Sequence, residues 1–300
     1  MRIVILGKGV MLANLIRGCL ISGADIAGVF RYENLFFNKF QMLLHDFFKA
    51  SPELTLIKKH KLHDIKLKSA NSEEFKRELL KLNVDIMLVG TWAEKLNPEV
   101  FNMPKIASIN VHPSLLPKYR GPNPYLQTIW NGETYSGVTF HIITDKLDAG
   151  PILIQQKIEI LDGDTGKELR NRTVFNARLL CAEVIERLEN GYTETTEQLE
   201  PLATYFKDVK PEDMTLNFES ETSEEIIRHI RAFYPFRPTY IQDGNRFWIA
   251  NPYKVTVTDR TGMPGAIIER GIKSLTIVCK DNIAIELSDL KKYNKFLNPT

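Results

Sequence analysis

The sequence predicts an α/β protein: an open, mostly parallel sheet covered by helices, followed by a smaller all-β module. Three observations carry this. Short β-branched apolar runs alternate with helical-period segments over the first 190 residues or so, as in doubly wound sheets. A polar, irregular stretch then interrupts the alternation over residues 192–221. After Pro235 only short strand-like runs remain, separated by Asp243-Gly244, Thr261-Gly262 and Asp281-Asn282, the turn spacing of a small barrel. The domains expected are therefore 1–191, a linker 192–221, and 222–300.

The elements follow in order. Arg2–Gly7 (RIVILG) reads as a buried parallel strand, residues 10–20 as a helix, and residues 24–30 (ADIAGVF) as the next strand. Gly7-Lys8-Gly9 begins like a dinucleotide fingerprint, but position 12 is Leu, so a tight strand-to-helix turn accounts for it. In residues 31–70, Phe36, Phe37, Phe40, Leu43, Leu44, Phe47 and Phe48 keep a helical spacing that predicts an amphipathic helix. The basic run Lys58–Lys61 behind it suits a solvated surface. Asn71 or Ser72 caps a helix with Glu73 and Glu74 in its first turn and Phe75, Leu79 and Leu82 on one face. Residues 84–90 and 107–111 are strands. Residues 125–130 form a helix, and 137–143 and 152–160 are strands. Thr165-Gly-Lys-Glu168 is a capping box. It opens a long helix with Leu169, Thr173, Ala177, Leu180, Val184 and Leu188 inward, closed by Asn190-Gly191. A second box, Thr222-Ser-Glu-Glu225, starts a helix burying Ile226, Ile230 and Phe233.

Composition bounds the function. The chain has 300 residues, 43% hydrophobic and 25% charged, so its bulk is globular. Its net charge of +2 points to no particular partner. Cys19, Cys181 and Cys279 are too dispersed for a zinc site or a disulfide framework, and no metal is indicated. No apolar run reads as a leader or a membrane span, so a reducing cytoplasmic setting is the default expectation.

Two stretches could carry chemistry. Ile109-Asn-Val-His-Pro-Ser-Leu-Leu-Pro-Lys-Tyr-Arg-Gly-Pro begins in a strand and leaves it through prolines. Asn110 and His112 are two apart, so they share one face of an extended chain. They sit at the carboxyl end of a strand, where open α/β sheets bind ligands. A lone His is more often a satisfied core residue; the neighbouring Asn and the rigid loop argue against that here. The second stretch, Ser136-Gly-Val-Thr-Phe-His-Ile-Ile-Thr-Asp-Lys-Leu-Asp-Ala-Gly, places Asp148 on a loop. Alone it would be a solvated turn residue. Together, Asn, His and Asp suit acyl transfer to an amine. Asn110 and His112 donate to the oxyanion, and Asp148 orients His112 and takes up the amine's proton.

The same residues carry a resemblance. Asn110, His112, Ser114–Pro117 and Arg120-Gly121, with Gly137–Thr139 and Asp148–Gly150, resemble the signatures of the formyltransferases that use 10-formyltetrahydrofolate. The resemblance implies a Rossmann-like amino domain over residues 1 to about 190 and an OB-type carboxyl barrel. It implies the folate carrier as formyl donor, held by Gly90, Thr91, Trp92, Leu96, Thr144, Asp145 and Leu147. It further implies an acceptor site at Ser114, Leu115, Leu116, Pro117, Arg120, Gly121 and Thr139. Ala203-Thr-Tyr205, Ile230–Tyr240 and Pro264-Gly265 resemble the methionyl-tRNA branch of that family, which implies methionyl-tRNA as acceptor. Departures from that branch leave a nucleotide-linked amino sugar as the alternative. Residues 31–37 are aromatic where a basic loop is usual, and Trp92 replaces a smaller or tyrosyl residue. Residues 201–300 hold 14 Lys and Arg against 13 Asp and Glu, with one basic cluster at Lys291, Lys292 and Lys295.

Overall fold

The computed structural model describes residues 1–48 and 51–293; the side chain of Leu43 and the residue Lys295 lie outside the described residues. The opening is strand–helix–strand: β1 (Arg2–Gly7), α1 (Gly9–Ser22) and β2 (Asp25–Arg31). Glycine at position 7 is a packing requirement, because a Cβ there would stand 2.4 Å from the carbonyl oxygen of Gly90 on the neighbouring strand.

After a 3-10 turn at Tyr32–Leu35 come α2 (Lys39–Phe48), α3 (Pro52–Lys59) and the two-residue β3 (Asp64–Ile65). α3 and β3 were not expected from the sequence. The guanidinium of Arg31, 1% exposed, ties this region together. It holds Asp46 with Nη1–Oδ1 2.7 Å and Nη2–Oδ2 3.0 Å, and Asp64 with Nε–Oδ1 3.2 Å and Nη2–Oδ2 2.9 Å. The aromatic stripe does form a helix over 39–48, but Phe40, Phe47 and Phe48 are 67%, 79% and 79% exposed.

Then follow α4 (Glu73–Leu82), β4 (Ile86–Gly90), the short α5 (Pro98–Phe101), β5 (Ala107–His112), α6 (Pro124–Trp130), β6 (Tyr135–Ile142), β7 (Ile152–Glu159) and α7 (Gly166–Glu189). The cap of α4 is Ser72, whose hydroxyl accepts from the Phe75 N–H at 3.2 Å. In α7, all six inward positions read from the sequence are buried, and Glu168 reaches back to the Thr165 N–H at 3.1 Å. The strand order is β3-β2-β1-β4-β5-β6-β7. The first five strands pair in parallel, and β6 is antiparallel to β5.

The remainder is α8 (Ser223–Phe233), then β8 (Tyr240–Asp243), β9 (Arg246–Ile249), β10 (Val255–Thr261), β11 (Ile267–Arg270), β12 (Leu275–Val278), β13 (Ile283–Leu287) and β14 (Lys291–Lys292). Both arms of the Thr222–Glu225 capping box are made, at 3.3 and 2.8 Å. The strands form antiparallel sheets of four (β10-β13-β12-β11) and three (β14-β9-β8). One apolar cluster fed by both sheets and α8, including Ile226, Ile230, Ile241, Leu275, Ile277 and Ile285, fills this barrel-like module.

By contacts, residues 1–121, 137–158 and 172–205 make one compact unit, and 122–136, 159–171 and 206–300 another. Among the described residues no helix is long and apolar enough to cross a membrane, and no group of three or more His, Cys, Asp or Glu is arranged to hold a metal ion.

Candidate active site

β5 carries Asn110 and His112 to its carboxyl end, and its antiparallel neighbour places His141 opposite Asn110 and Thr139 opposite His112. Asp148 returns from the loop beyond β6 with φ 52°, a left-handed conformation that Asp tolerates better than most residues. Gly150 makes the return possible: a Cβ there would fall 1.9 Å from the carbonyl oxygen of Ile142.

The three residues expected to be catalytic meet. Asn110 Nδ2 donates to Asp148 Oδ1 at 3.2 Å and to His141 Nε2 at 3.1 Å. His141 Nδ1 lies 2.9 Å from the Ile142 carbonyl, which can only accept, so Nδ1 is the donor there and Nε2 is the ring nitrogen turned to Asn110. His112 Nε2 lies 2.7 Å from the Tyr119 carbonyl and so carries the ring's proton. Its Nδ1 lone pair then faces Asp148 Oδ1 at 3.6 Å, too long for a hydrogen bond. The other carboxylate oxygen accepts the Gly121 N–H at 2.9 Å.

Electrostatics follow from that geometry. Burial pushes His112 below its ordinary 6.5, aided by His141, and outweighs the upward pull of Asp148 and the Tyr119 carbonyl. Burial acts to raise Asp148, but the charge on His112, the nearby His141 and the Gly121 N–H overcome it and hold the carboxyl at about 2. At neutral pH the pair is a carboxylate beside a neutral imidazole, with room for one proton between them.

The loop at 114–121 is locked rather than open. Ser114 donates to Lys118 O at 2.8 Å. The Thr139 hydroxyl donates to Ser114 O at 2.7 Å and accepts from Gln155 Nε2 at 2.8 Å. Gln155 also donates to Leu116 O at 2.9 Å. Ser114, Leu116, Arg120, Gly121 and Thr139 are buried, while Leu115 and Pro117 are half-buried. Tyr119, at φ 60°, turns its carbonyl onto His112. The Arg120 guanidinium is engaged within the protein, by Gln198 Oε1 (Nε 3.2 Å, Nη2 2.9 Å) and by both oxygens of Glu200 (3.1 and 2.9 Å).

The residues expected around the donor fall into two groups. Gly90 and Leu96 are buried, Leu96 within the apolar cluster beneath the sheet. Thr91, Asp145 and Leu147 are exposed and Thr144 is half-buried. Trp92 is half-buried, edge-on to Phe30 (centroids 5.1 Å) and Tyr32 (6.2 Å), and its buried indole N–H has no partner. The sequence reading missed His141 and Gln198. His141 could have been found from its spacing, two residues beyond Thr139 on the same strand face; Gln198 sits in a polar connector with no local signal.

The family described as Formyl transferase matches residues 1–185, and the one described as Formyl transferase, C-terminal domain, matches residues 208–297. Methionyl-tRNA formyltransferase of Thermotoga maritima is 30% identical over 272 residues, 89% of this chain and 83% of that protein. The protein of that name from Staphylococcus aureus strain MW2 is 31% identical over 228 residues, 76% of this chain and 73% of its own. Two solved structures share the fold. WlaRD, a sugar 3N-formyl transferase determined with dTDP and 5-N-formyl-THF, superposes with a TM-score of 0.69 at 21% identity over 98% of both chains. An N-formyltransferase from Helicobacter canadensis, in complex with folinic acid and dTDP-3-aminofucose, gives 0.69 at 23% over 97% of this chain and 99% of its own. Matched by both family domains over residues 1–185 and 208–297, and 30% identical to a protein of which it covers 83%, this chain belongs to the formyl transferase family.

Proposed function

We propose that the chain transfers the formyl group of 10-formyltetrahydrofolate to the amino group of methionyl-tRNA, as a cytoplasmic enzyme of translation initiation. The observation that carries the chemistry is the buried His112–Asp148 pair, deprotonated at neutral pH and bridged to Asn110. The acceptor rests on the relatives about 30% identical, all named for methionyl-tRNA.

The amine nitrogen attacks the formyl carbon and a new C–N bond forms. The Asn110 hydrogen that now makes a long contact with Asp148 turns to the developing oxyanion. The amine's proton enters the gap between Asp148 Oδ1 and His112 Nδ1, leaving an imidazolium–carboxylate pair. With Nε2 held by the Tyr119 carbonyl and Nδ1 toward Asp148, His112 is placed to share the proton rather than to donate to the oxyanion as the sequence led us to expect, and Asn110 is the side-chain donor there. When the bond from carbon to N10 breaks, that proton passes to N10. The products are the formylated amine and tetrahydrofolate, and the proton balance closes. For the donor, Thr91, Asp145 and Leu147 offer exposed surface and Trp92 and Thr144 half-buried surface, backed by Gly90 and Leu96. Leu115 and Pro117 offer it on the acceptor side, while Ser114, Leu116, Arg120, Gly121 and Thr139 shape the loop behind them.

A nucleotide-linked amino sugar is the second acceptor reading, favoured by the aromatic surface of α2 and the near-neutral charge of residues 201–300. An acceptor competition tests both. The protein is given 10-formyltetrahydrofolate with initiator methionyl-tRNA or with a panel of such sugars, and formylated product is scored at two salt concentrations. Product on tRNA, weakening steeply with salt, is the expected result. Product on sugar alone would overturn the tRNA assignment.

A further inference from the structure

The connector between the two family domains is bonded into the catalytic centre at both of its loops. Gln198, 8% exposed, donates through Nε2 to the carbonyls of Asp148 (2.9 Å) and Gly150 (2.7 Å). Its Oε1 accepts from Arg120, whose outer edge is held by Glu200. Six residues on, Thr204 continues the contact with the other loop. Its carbonyl accepts from Arg120 N at 2.9 Å and its N–H donates to Pro117 O at 3.2 Å. Its hydroxyl accepts from Tyr119 N at 2.8 Å. The Arg120 loop supplies the two backbone groups that fix the proton-accepting pair: the Tyr119 carbonyl on His112 and the Gly121 N–H on Asp148.

We propose that Gln198 is a positioning residue for the transfer reaction, clamping the Asp148–Gly150 loop to the Arg120 loop and so setting the distance between Asp148 and His112. The argument is one of satisfaction. A buried primary amide has two donors and an acceptor, and here every one is spent on bridging the two loops. Without Gln198 the Asp148 and Gly150 carbonyls lose this partner and the Arg120 fork loses its inner acceptor. The loop bearing Asp148, already in a left-handed backbone conformation, then relaxes away from His112.

This rests on the proposed transfer chemistry, and the test separates the two. Gln198→Met keeps most of the volume and adds no charge beside His112, but removes both donors and the acceptor for Arg120. Gln198→Ala removes the clamp. Two quantities are read in the full-length protein: kcat and KM on whichever acceptor the wild type uses, and the titration of the His112 ring by NMR, which needs no substrate. The groups facing His112 are Asp148 and His141. Withdrawing the carboxylate lowers the His112 midpoint, because Asp148, more than the Tyr119 carbonyl, holds it up. The expected result for Gln198→Met is a fall in kcat of about a hundredfold, the order of a 1 Å misplacement, with KM within a few-fold and the His112 midpoint shifted to lower pH. Should Gln198→Ala not fold, Gln198→Met alone decides, since it keeps most of the volume and adds no charge. An unchanged His112 midpoint in a folded Gln198 variant would overturn the clamp, whatever the turnover. A wild type that formylates neither acceptor would overturn the functional reading and leave the titration to decide the clamp.

Discussion

His112 at the end of β5 and His229 on α8 are both buried, 5% and 2% exposed, and each sends Nε2 to a backbone carbonyl at 2.7 Å. Their other nitrogens differ. His229 Nδ1 meets Glu221 Oε2 at 2.9 Å, and its ring is packed by Trp130 and Phe233 at centroid distances of 4.8 and 4.6 Å. His112 Nδ1 stands 3.6 Å from Asp148 Oδ1, an oxygen that also serves Asn110. The first arrangement is closed: each polar atom has a near-ideal partner and nothing remains to be exchanged. The second is slack by about the length that one added proton would take up. A buried His–carboxylate pair is thus a fastening or a reactive centre according to whether its geometry is already complete.

That contrast can be broken by substitution. His112→Ala and Asp148→Ala are each expected to lower turnover by about two to four orders of magnitude, with unfolding still cooperative in a thermal melt. Full activity in either purified variant would remove the distinction. Asn110→Ala is expected to cost about a hundred- to a thousandfold in kcat with a smaller change in KM. His229→Ala should do the reverse. It strands the Asp213 carbonyl and opens a cavity beside Trp130, so stability in denaturant titration falls by about 2–4 kcal/mol, while turnover per folded molecule is unchanged.

Acid sharpens the comparison further. Because His112 is held below 6.5, turnover is expected to fall on acidification with a midpoint under that value. Asp148→Asn, observed by NMR, moves the midpoint lower still, because the lost carboxylate had favoured the imidazolium. Stability follows the same sign. The unfolded chain protonates this histidine near 6.5 while the folded one resists. Its contribution is therefore whole above that pH and lost as pH drops through the folded value. Asp148 adds a second loss between its ordinary 3.8 and about 2. The smallest effect belongs to the exposed face of α2. Phe47→Ser with Phe48→Ser, both at 79% exposure, is expected to change stability by no more than about 0.5 kcal/mol.

Much of the fold was legible because its signals are local. The β-branched runs at 2–7 and 86–90 read as buried strands, and Thr222–Glu225 names its own helix start. The turns at Asp243-Gly244 and Asp281-Asn282 separate the strands they were expected to separate. Residues 31–70 were poorly legible. An aromatic helical period announces α2 but not which way it faces, and α3 and β3 are too short to show a period. What holds that region is Arg31 reaching Asp46 and Asp64, 15 and 33 residues away.

The sequence by itself determined the order of the main elements outside residues 31–70, the placing of Asn110 and His112 on one face at a strand's carboxyl end, and the family. Each is written in neighbours a few residues apart, where backbone geometry sets which side chains share a face. Tertiary structure alone decided that His141 stands against Asn110, that His112 carries its proton on Nε2, and that Gln198 of the connector reaches Asp148. These contacts span 31, 7 and 50 residues. They depend on strand register and on a left-handed turn at Tyr119, which no local pattern encodes. The chemistry of the pair lies in a gap of a few tenths of an ångström beyond a hydrogen bond, and only the packing of both loops onto the connector sets it.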